Sequence, residues 1–403
     1  MNSKAIPYGR QNITDEDIEE VVAVLKGDFL TQGPKIKEFE ESFAEYIGSS
    51  YAVAVANGTA ALHLCALALD VGKSSKIITT PISFAATANC IKFCEGEVMF
   101  CDIDPNTFLL DIEKVRELLT KSPRGTYSGI IPVDFAGRAV DMEAFRNLAD
   151  EYGCWIIEDA CHAPGGYFID QYGNDQKCGN GKFVDLAIFS FHPVKHIASG
   201  EGGMITTNDK ALYERLLTLR SHGITRDESL FRNSIDFAAS GQSSKGANYP
   251  GWYMEMQELG FNYRLTDFQA ALGLSQLKRA EEGLRKRRAI AKVYDEAFES
   301  HSFIQSQLNE LKGTHSGHAY HLYIIKVPNR LDLYNYLREN NIFTQVHYIP
   351  THLMPYYQNL GWKEGDLTAS EDYYRSCLSL PMYPTLTEQE QKYVIDKINA
   401  FYS

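Results

Sequence analysis

The sequence predicts an α/β fold, in which a large domain with a mostly parallel seven-stranded sheet is followed by a smaller C-terminal α+β domain. Between residues 51 and 207, seven short apolar runs alternate with helical patterns. This alternation is typical of crossover units in a parallel sheet that is covered on both faces. From about Arg279 the pattern changes to a long charged helix, followed by mixed strand and helix signals. That change predicts the second domain.

Local signals predict the individual elements. Thr14 opens a capping box before the first helix, IEEVVAVLK, which Gly27 is predicted to end, and the second helix, KIKEFEESFAEYI, ends at Gly48. The strands are predicted at 51–56, 76–80, 98–102, 129–133, 154–159, 186–191 and 203–207, with helices at 59–69, 111–120 and 141–152. Beyond Arg279 we expect the strand AYHLYIIKV, a helix at 331–340, and helical ends at EDYYRSCL and EQEQKYVIDKINAF.

The chain divides into three predicted parts. Residues 1–30 form an N-terminal segment, 31–278 form the large domain and 279–403 form the small domain. Segment 225–258 is rich in Ser, Gly and Asn and is long for a connection inside a compact domain. We therefore predict that this segment is a lid or an intersubunit arm.

The composition restricts the class of protein. The chain has 403 residues, 44% of them hydrophobic, and a net charge of −13, so it lacks the basic field that holds nucleic acid or an anionic membrane surface. No apolar run approaches the roughly 18 residues of a membrane-spanning helix, and the amino terminus has no signal-peptide pattern. We expect a cytoplasmic protein that binds neither nucleic acid nor membrane.

The eight cysteines are scattered through apolar segments and form no Cys-x-x-Cys pair. This spacing is typical of reduced structural thiols, and it indicates neither a zinc site nor a disulfide framework. We therefore expect no bound metal.

The first unusual place is the turn at Asn57-Gly58-Thr59-Ala60, where a strand passes directly into a helix. Ligands in open α/β sheets bind beyond the carboxyl ends of strands, and the free N–H groups of a helix start can hold a phosphate. An ordinary strand-to-helix turn is the competing interpretation. No Gly-x-Gly-x-x-Gly or Gly-x-x-x-x-Gly-Lys-Ser/Thr motif follows a strand, which removes the main support for NAD or ATP binding.

Three further side chains follow other strands. Asp159 ends the strand CWIIED, His162 lies three residues beyond it, and Lys195 follows the strand LAIFSF. Taken singly, each has an ordinary structural explanation: Asp159 could cap a loop, His162 could be a buried imidazole with its hydrogen bonds satisfied, and Lys195 could be a solvated surface charge. Together, a phosphate site, a carboxylate for a pyridinium nitrogen and an amine for an aldehyde are what pyridoxal 5′-phosphate (PLP) requires. Phe84, after KIITT, would supply an aromatic face for the ring, with burial in the core as the alternative.

At these positions the sequence resembles the sugar aminotransferases of the DegT/DnrJ/EryC1/StrS family, which are PLP enzymes of fold type I with an aspartate aminotransferase-like fold. The likeness runs nearly end to end and rests on the motifs LTQGPKIKEFEESFAEYIG, AVANGTAALHL, TTPISFAATAN, VDFAGRAVDM, IIEDACHAPGG, FSFHPVK, GEGGMITTND, RSHGI, GFNYRLTDFQAALGLSQL and QVHYIP. Within the family, the motifs TTPISFAATAN, FSFHPVK and QVHYIP are most similar to those of the aminotransferases of pseudaminic acid synthesis. These enzymes use L-glutamate to aminate C4 of a UDP-linked 4-keto-6-deoxy-N-acetylhexosamine.

The resemblance implies a cofactor site. Lys195 binds the PLP aldehyde covalently and later moves a proton, Asp159 pairs with the pyridine nitrogen, and His162 lies by the ring 3-oxygen. The cofactor alternates with its amine form, PMP. Phe84 is implied to stack on the face of the PLP ring. The PLP phosphate is implied to be held by Gly58, Thr59, Ala60 and Ser190. Asn262 is implied to contact the phosphate of the neighbouring subunit's cofactor. The last contact implies a homodimer with shared active sites.

The resemblance also implies a nucleotide-sugar region to which residues 1–30 contribute. Its predicted residues are Tyr8, Asp28, Phe29, Leu30, Thr31, Gln345, Val346, His347 and Tyr348. Cys161 and His196 depart from the residues more common in the family at their positions.

Three alternatives stay open. One is a 3- or 4-aminotransferase of another nucleotide sugar, including bacillosamine-type and dTDP-linked sugars. Another is a related dehydratase, which has histidine in place of the lysine, so that Lys195 argues against it. The third is a non-catalytic binding protein with this fold.

Overall fold

The computed structural model describes residues 5–241, 248–307, 310–311 and 314–403. Its strands are β1 (Ile6–Pro7), β2 (Tyr51–Val55), β3 (Lys76–Thr79), β4 (Glu97–Phe100), β5 (Gly129–Ile131), β6 (Trp155–Asp159), β7 (Tyr167–Ile169), β8 (Asp175–Lys177), β9 (Leu186–Ser190), β10 (Gly203–Thr207), β11 (Ile224–Thr225), β12 (Glu255–Met256), β13 (Gln305–Ser306), β14 (Glu310–Leu311), β15 (Thr314–Gly317), β16 (Tyr323–Lys326), β17 (Ile342–Phe343) and β18 (Cys377–Leu380). Its α-helices are α1 (Asp15–Leu25), α2 (Pro34–Ile47), α3 (Gly58–Ala68), α4 (Ala86–Phe93), α5 (Ile112–Thr120), α6 (Met142–Tyr152), α7 (Lys210–Arg220), α8 (Ile235–Ala238), α9 (Asp267–Leu277), α10 (Ala280–Phe298), α11 (Arg330–Glu339), α12 (Pro355–Gln358), α13 (Thr368–Ser376) and α14 (Glu388–Tyr402).

The seven predicted strands form one sheet, which confirms the α/β class. Its order is β2-β10-β9-β6-β5-β3-β4. Strand β10 runs antiparallel to both neighbours, and the other pairs are parallel. Successive side chains point to opposite faces, so Phe189 and Ile188 belong to two different buried apolar clusters. Because Asp159 pairs with Ile188, the carboxyl ends of β6 and β9 lie side by side.

The local signals explain most helix boundaries. The predicted capping box at Thr14 is present, and α1 ends at Leu25, shortly before Gly27. Gly48 adopts a left-handed conformation with φ of 89° and ends α2, as predicted. The helices predicted at 59–69, 111–120 and 141–152 are α3, α5 and α6.

The prediction that EDYYRSCL is helical is wrong at its end. Helix α13 stops at Ser376, and Cys377 begins strand β18, which pairs antiparallel with β16. All four residues of β18 are buried. A short run of residues that are all buried fits a strand inside a sheet better than it fits an amphipathic helix, which has one face in solvent.

The amino terminus and the C-terminal region meet next to the large sheet. Strand β1 pairs in parallel with β17 through Ile6 and Ile342, and β13, β16 and β18 form a separate sheet. The predicted domain boundaries stay predictions. Of segment 225–258, residues 242–247 lie outside the described part of the chain, and the lid or arm role stays a prediction. None of the described helices is both long and apolar enough to cross a membrane.

Candidate active site

A cavity of about 510 Å³ opens at the carboxyl ends of β2, β6 and β9, where an α/β sheet is expected to bind its ligand. The structure brings ten of the predicted site residues to its wall. They are Tyr8, Gly58, Thr59, Phe84, Asp159, His162, Ser190, Lys195, His347 and Tyr348.

One end of the cavity is the start of helix α3. Asn57 caps the helix, and its side-chain oxygen accepts a hydrogen bond of 2.8 Å from the Ala60 N–H. A Cβ placed on Gly58 would lie 3.1 Å from the Ser190 Cβ, so the absence of a side chain lets the helix start approach Ser190. The backbone N–H groups of the first turn and the Ser190 hydroxyl thus lie together, an arrangement that suits a phosphate.

Asp159 is held at both carboxylate oxygens. The Thr87 hydroxyl donates to Oδ2 at 2.7 Å, and the Cys161 N–H donates to Oδ1 at 3.2 Å. Thr87 in turn lies 2.7 Å from the Ser83 hydroxyl. Asp159 is only 4% exposed, so these hydrogen bonds orient a buried carboxylate toward the cavity. Such a group can keep a proton on a basic ring nitrogen.

His162 is a neutral hydrogen-bond donor toward the cavity. Its Nδ1 accepts from the Ala136 N–H at 3.2 Å, which leaves the proton on Nε2. Nε2 lies 3.4 Å from the Tyr348 hydroxyl. Burial lowers the pKa of His162 well below its ordinary value, and the charge of Lys195 lowers it further. An imidazole in this state can donate to a ligand oxygen without adding charge to the site.

Lys195 lies in the turn after β9, where its backbone N–H donates to the His192 carbonyl at 2.9 Å. Burial lowers the pKa of the Lys195 ammonium, whereas Cys161 and Asp159 raise it. A lowered pKa increases the fraction of neutral amine, which is the form that attacks an aldehyde and accepts a proton. Lys195 is therefore suited to both tasks.

Aromatic and imidazole rings form the opposite wall. Tyr8 and His347 lie with ring centroids 5.1 Å apart, and the His347 Nδ1 lies 2.8 Å from the Ser379 hydroxyl. Phe84 is 64% exposed and lies 6.4 Å from the Tyr348 ring, at the rim of the cavity. The core alternative for Phe84 therefore does not hold.

The other predicted site residues do not line the cavity within one chain. They are Asp28, Phe29, Leu30, Thr31, Ala60, Asn262, Gln345 and Val346. Thr31 forms a bridge with Thr266, and Asn262 forms one with Ser221. Their proposed roles stay predictions.

Several cavity residues escaped the sequence analysis. Thr87 and Glu201 lie inside the quoted motifs TTPISFAATAN and GEGGMITTND, which could have indicated them, whereas His321 carries no local signal. The ring of His321 lies 4.3 Å from that of His162. Of the two departures from the family pattern, Cys161 lines the cavity and the His196 Nε2 bonds to the Ala319 carbonyl at 2.8 Å.

Comparison with known proteins identifies this arrangement. Residues 11–399 match the DegT/DnrJ/EryC1/StrS aminotransferase family. The chain belongs to this family. It is 36% identical over 399 residues to the UDP-4-amino-4,6-dideoxy-N-acetyl-beta-L-altrosamine transaminase of Campylobacter jejuni, with 98% of this chain and 96% of that protein covered.

Solved structures agree with the family assignment. Helicobacter pylori PseC, an aminotransferase involved in the biosynthesis of pseudoaminic acid, matches with a TM-score of 0.84 and 28% identity, over 98% of this chain and 99% of that one. A Streptococcus pneumoniae protein in its PMP form matches with a TM-score of 0.85 and 26% identity, over 98% of each chain.

The chain is thus a PLP-dependent sugar aminotransferase with the fold of its relatives, and the predicted family, fold and cofactor are confirmed. The residues of the cavity fit PLP on their own chemistry. They offer an oriented carboxylate at Asp159, a buried amine at Lys195 and a helix start beside Ser190.

Proposed function

We propose that this aminotransferase moves the amino group of L-glutamate to C4 of UDP-2-acetamido-2,6-dideoxy-β-L-arabino-hex-4-ulose, giving UDP-4-amino-4,6-dideoxy-N-acetyl-β-L-altrosamine for pseudaminic acid synthesis. The observation that supports this substrate is the 36% identity, over nearly the whole chain, to a transaminase named for that product. Tyr8, His347 and Tyr348, three of the predicted nucleotide-sugar residues, line the same cavity as Asp159, which agrees with this proposal.

The reaction needs two proton transfers between carbon atoms and a base, and Lys195 is the proposed base for both. Bound PLP supplies an electron sink and carries the amino group between the two half-reactions. Lys195 Nζ would take the α-proton of glutamate, whose amino group passes to the cofactor while water supplies the keto oxygen of the departing 2-oxoglutarate. In the second half-reaction Lys195 would give a proton to C4 of the sugar, whose keto oxygen leaves as water. A base with a lowered pKa serves both directions at neutral pH.

The other residues hold the cofactor in place. Asp159 keeps the pyridine nitrogen protonated, which strengthens the electron sink, and its two hydrogen bonds prevent rotation of the carboxylate. His162 donates its Nε2 proton toward the ring oxygen while it stays neutral. The start of α3 and Ser190 hold the phosphate.

We further propose a homodimer with shared active sites. Asn262 lies outside the cavity wall of its own chain, as expected for a residue that serves the neighbouring subunit. Asp28, Phe29, Leu30, Thr31, Gln345 and Val346 likewise would contact the nucleotide sugar only in the dimer.

Absorption spectroscopy tests the substrate assignment. Purified protein is mixed with PLP, then with glutamate, and finally with candidate nucleotide sugars one at a time. We expect a visible band from the lysine-bound cofactor, its loss with glutamate, and its return with the UDP-linked 4-keto-6-deoxy-N-acetylhexosamine. Lys73→Ala, at an exposed site where the lysine forms a surface ion pair with Glu95, serves as the control and should behave as the wild type.

Other outcomes have distinct meanings. Return of the band with only a 3-keto or a dTDP-linked sugar would replace the proposed substrate by one of the other family activities. Absence of any visible band after addition of PLP would contradict the role of Lys195 and favour a binding protein.

A further inference from the structure

Three buried ionisable side chains form a cluster behind Asp159, away from the cavity wall. Asp134 follows β5, Glu158 lies in β6 directly before Asp159, and Cys178 follows β8. One carboxylate oxygen of each acid and the Cys178 Sγ lie within 4.8 Å of one another. Their exposed fractions are 0%, 3% and 1%. The proposed reaction uses none of these groups.

The hydrogen bonds of this cluster leave one acceptor without a backbone donor. Asp134 Oδ1 accepts from the Val140 N–H at 2.8 Å, and Glu158 Oε2 accepts from the Gly179 N–H at 2.9 Å. Among the described residues the buried Asp134 Oδ2 has no hydrogen-bond partner of ordinary geometry, and the nearby Cys178 thiol is a weak donor toward Asp134. The two carboxyl groups nevertheless approach each other, with one oxygen of each within 4.8 Å, and a hydrogen bond between them would supply Oδ2 with a donor. Two carboxylates can form such a contact only when one carries a proton.

The surrounding charges favour one proton on the pair. Asp159 adds a negative charge on the same strand as Glu158, and Arg138, on the loop after β5, interacts with Asp104 and, less strongly, with Asp134. Cys178 faces both acids, and burial raises the pKa of its thiol. Burial raises the pKa of Asp134 to about 6 and that of Glu158 well above its ordinary value. Two full negative charges in this space would repel each other without solvent to screen them.

We propose that Asp134 and Glu158 share a single proton at neutral pH, and that this acid pair positions the cofactor-binding residues Asp159 and His162. The Asp134 N–H donates to the Asp159 carbonyl at 3.0 Å, which joins β5 to β6 at the edge of the cavity. Two residues further on, the Ala136 N–H holds His162. The shared proton therefore joins segment 134–136 to strand β6, and Asp159 and His162 extend from β6 and the turn after it. The positioning role rests on the proposed function, whereas the shared proton does not.

The shared proton is tested on the protein without PLP by infrared spectroscopy and by unfolding. At neutral pH we expect a protonated-carboxyl band that Glu158→Gln and Asp134→Asn each remove. The folded pair holds a proton that the unfolded chain has lost, so stability falls as pH rises. The unfolding constant of the wild type, relative to that of Glu158→Gln, should rise up to about tenfold per pH unit from about pH 5 upward, until the folded pair loses its proton. Absence of both the band and this pH dependence would overturn the proposal.

The positioning role is tested on the loaded enzyme with a conservative pair of variants. Glu158→Gln keeps a donor in place of the acid proton, and it should retain kcat and the dissociation constant of PLP within about threefold. Glu158→Ala leaves Asp134 Oδ2 without a donor, and it should weaken PLP binding and lower kcat by about tenfold or more, with little change in KM for the sugar. Equal kcat and PLP affinity in the two variants would overturn the positioning role.

A divalent cation held by the two acids and the thiolate is the competing occupant. It predicts a stoichiometric metal in elemental analysis of the purified protein, and loss of that metal and of stability in Glu158→Gln. That result would overturn the shared proton without affecting the assignment of Lys195.

Discussion

The two sides of the cavity are drawn from different kinds of structure. The cofactor side consists of Asp159, Ser190 and Lys195. Asp159 and Ser190 end neighbouring strands of one sheet, and Lys195 lies five residues after Ser190. On the opposite side, Tyr8 comes from the segment after β1, and His347 and Tyr348 come from the segment after β17. Parallel strands bring their carboxyl ends together wherever they pair, whereas the opposite wall depends on the pairing of Ile6 with Ile342.

This difference indicates which parts of the active site a single chain can form by itself. Each member of the cofactor side is buried or hydrogen-bonded within the chain, as Asp159 is by Thr87 and Cys161. Of the predicted nucleotide-sugar residues, those outside the cavity are more exposed, with Phe29 at 56% and Leu30 at 48%, whereas His347 in the cavity wall is 8% exposed. We therefore expect changes at Asp159, Ser190 and Lys195 to act within one chain. Changes at Phe29 and Leu30, and at Asn262 beside the partner's cofactor phosphate, should act through the dimer.

The largest expected effect is that of Lys195→Ala. Loss of the base should lower turnover by about 1,000-fold or more, because no other amine lines the cavity in the described residues. Single-turnover assays with glutamate measure it, and circular dichroism checks the fold. Turnover within tenfold of the wild type would remove Lys195 from the proposed mechanism. Lys73→Ala is again the control.

Mixed dimers sharpen the comparison between the two sides. Lys195→Ala and Asn262→Ala subunits are each expected to be weak as homodimers. A purified mixed dimer should recover about half of the wild-type turnover, because one of its two sites receives both intact residues. Recovery fails if Asn262 serves its own chain, since each site then carries one defect. The measurement is turnover of tandem-tagged mixed dimers against both homodimers.

The same contrast explains what could be predicted from the sequence. The strands of the large sheet were predictable because each is a short apolar run bounded by turn residues, and the site residues that directly follow them were predictable for the same reason. Helix α4 was not, because it has eight residues and its N-cap, Ala85, makes no side-chain cap. Neither the antiparallel direction of β10 nor the end of EDYYRSCL follows from local pattern.

Long-range partners also escaped prediction. His321 lies in the cavity although it is distant along the chain from His162, and Asp134 meets Glu158 only because β5 pairs with β6. In the sequence, Glu158 is only a second carboxylate directly before Asp159, and its contact with Asp134 cannot be predicted from that position. Which residue of an adjacent pair faces a ligand and which faces the core depends on strand direction and on the neighbouring loop.

The smallest expected effect is that of Thr87→Val, which tests whether the cofactor side is complete within one chain. The valine leaves the buried Asp159 Oδ2 without its hydroxyl donor, at a cost of about 1 to 3 kcal/mol. We expect PLP binding to weaken about fivefold to about tenfold, with kcat lowered by a similar factor, because the Asp159 carboxylate without this hydrogen bond can rotate away from the ring nitrogen.

Two matched variants separate orientation from packing at Thr87. Thr87→Ser keeps the hydroxyl and should restore PLP affinity, whereas Ser83→Ala removes only the next hydrogen bond outward, 2.7 Å from Thr87, and should have a smaller effect than Thr87→Val. PLP titration followed by absorption gives each dissociation constant. Equal affinity in Thr87→Val and the wild type would mean that Asp159 is oriented by its backbone contacts alone, and the hydroxyl chain would then have no part in holding the cofactor.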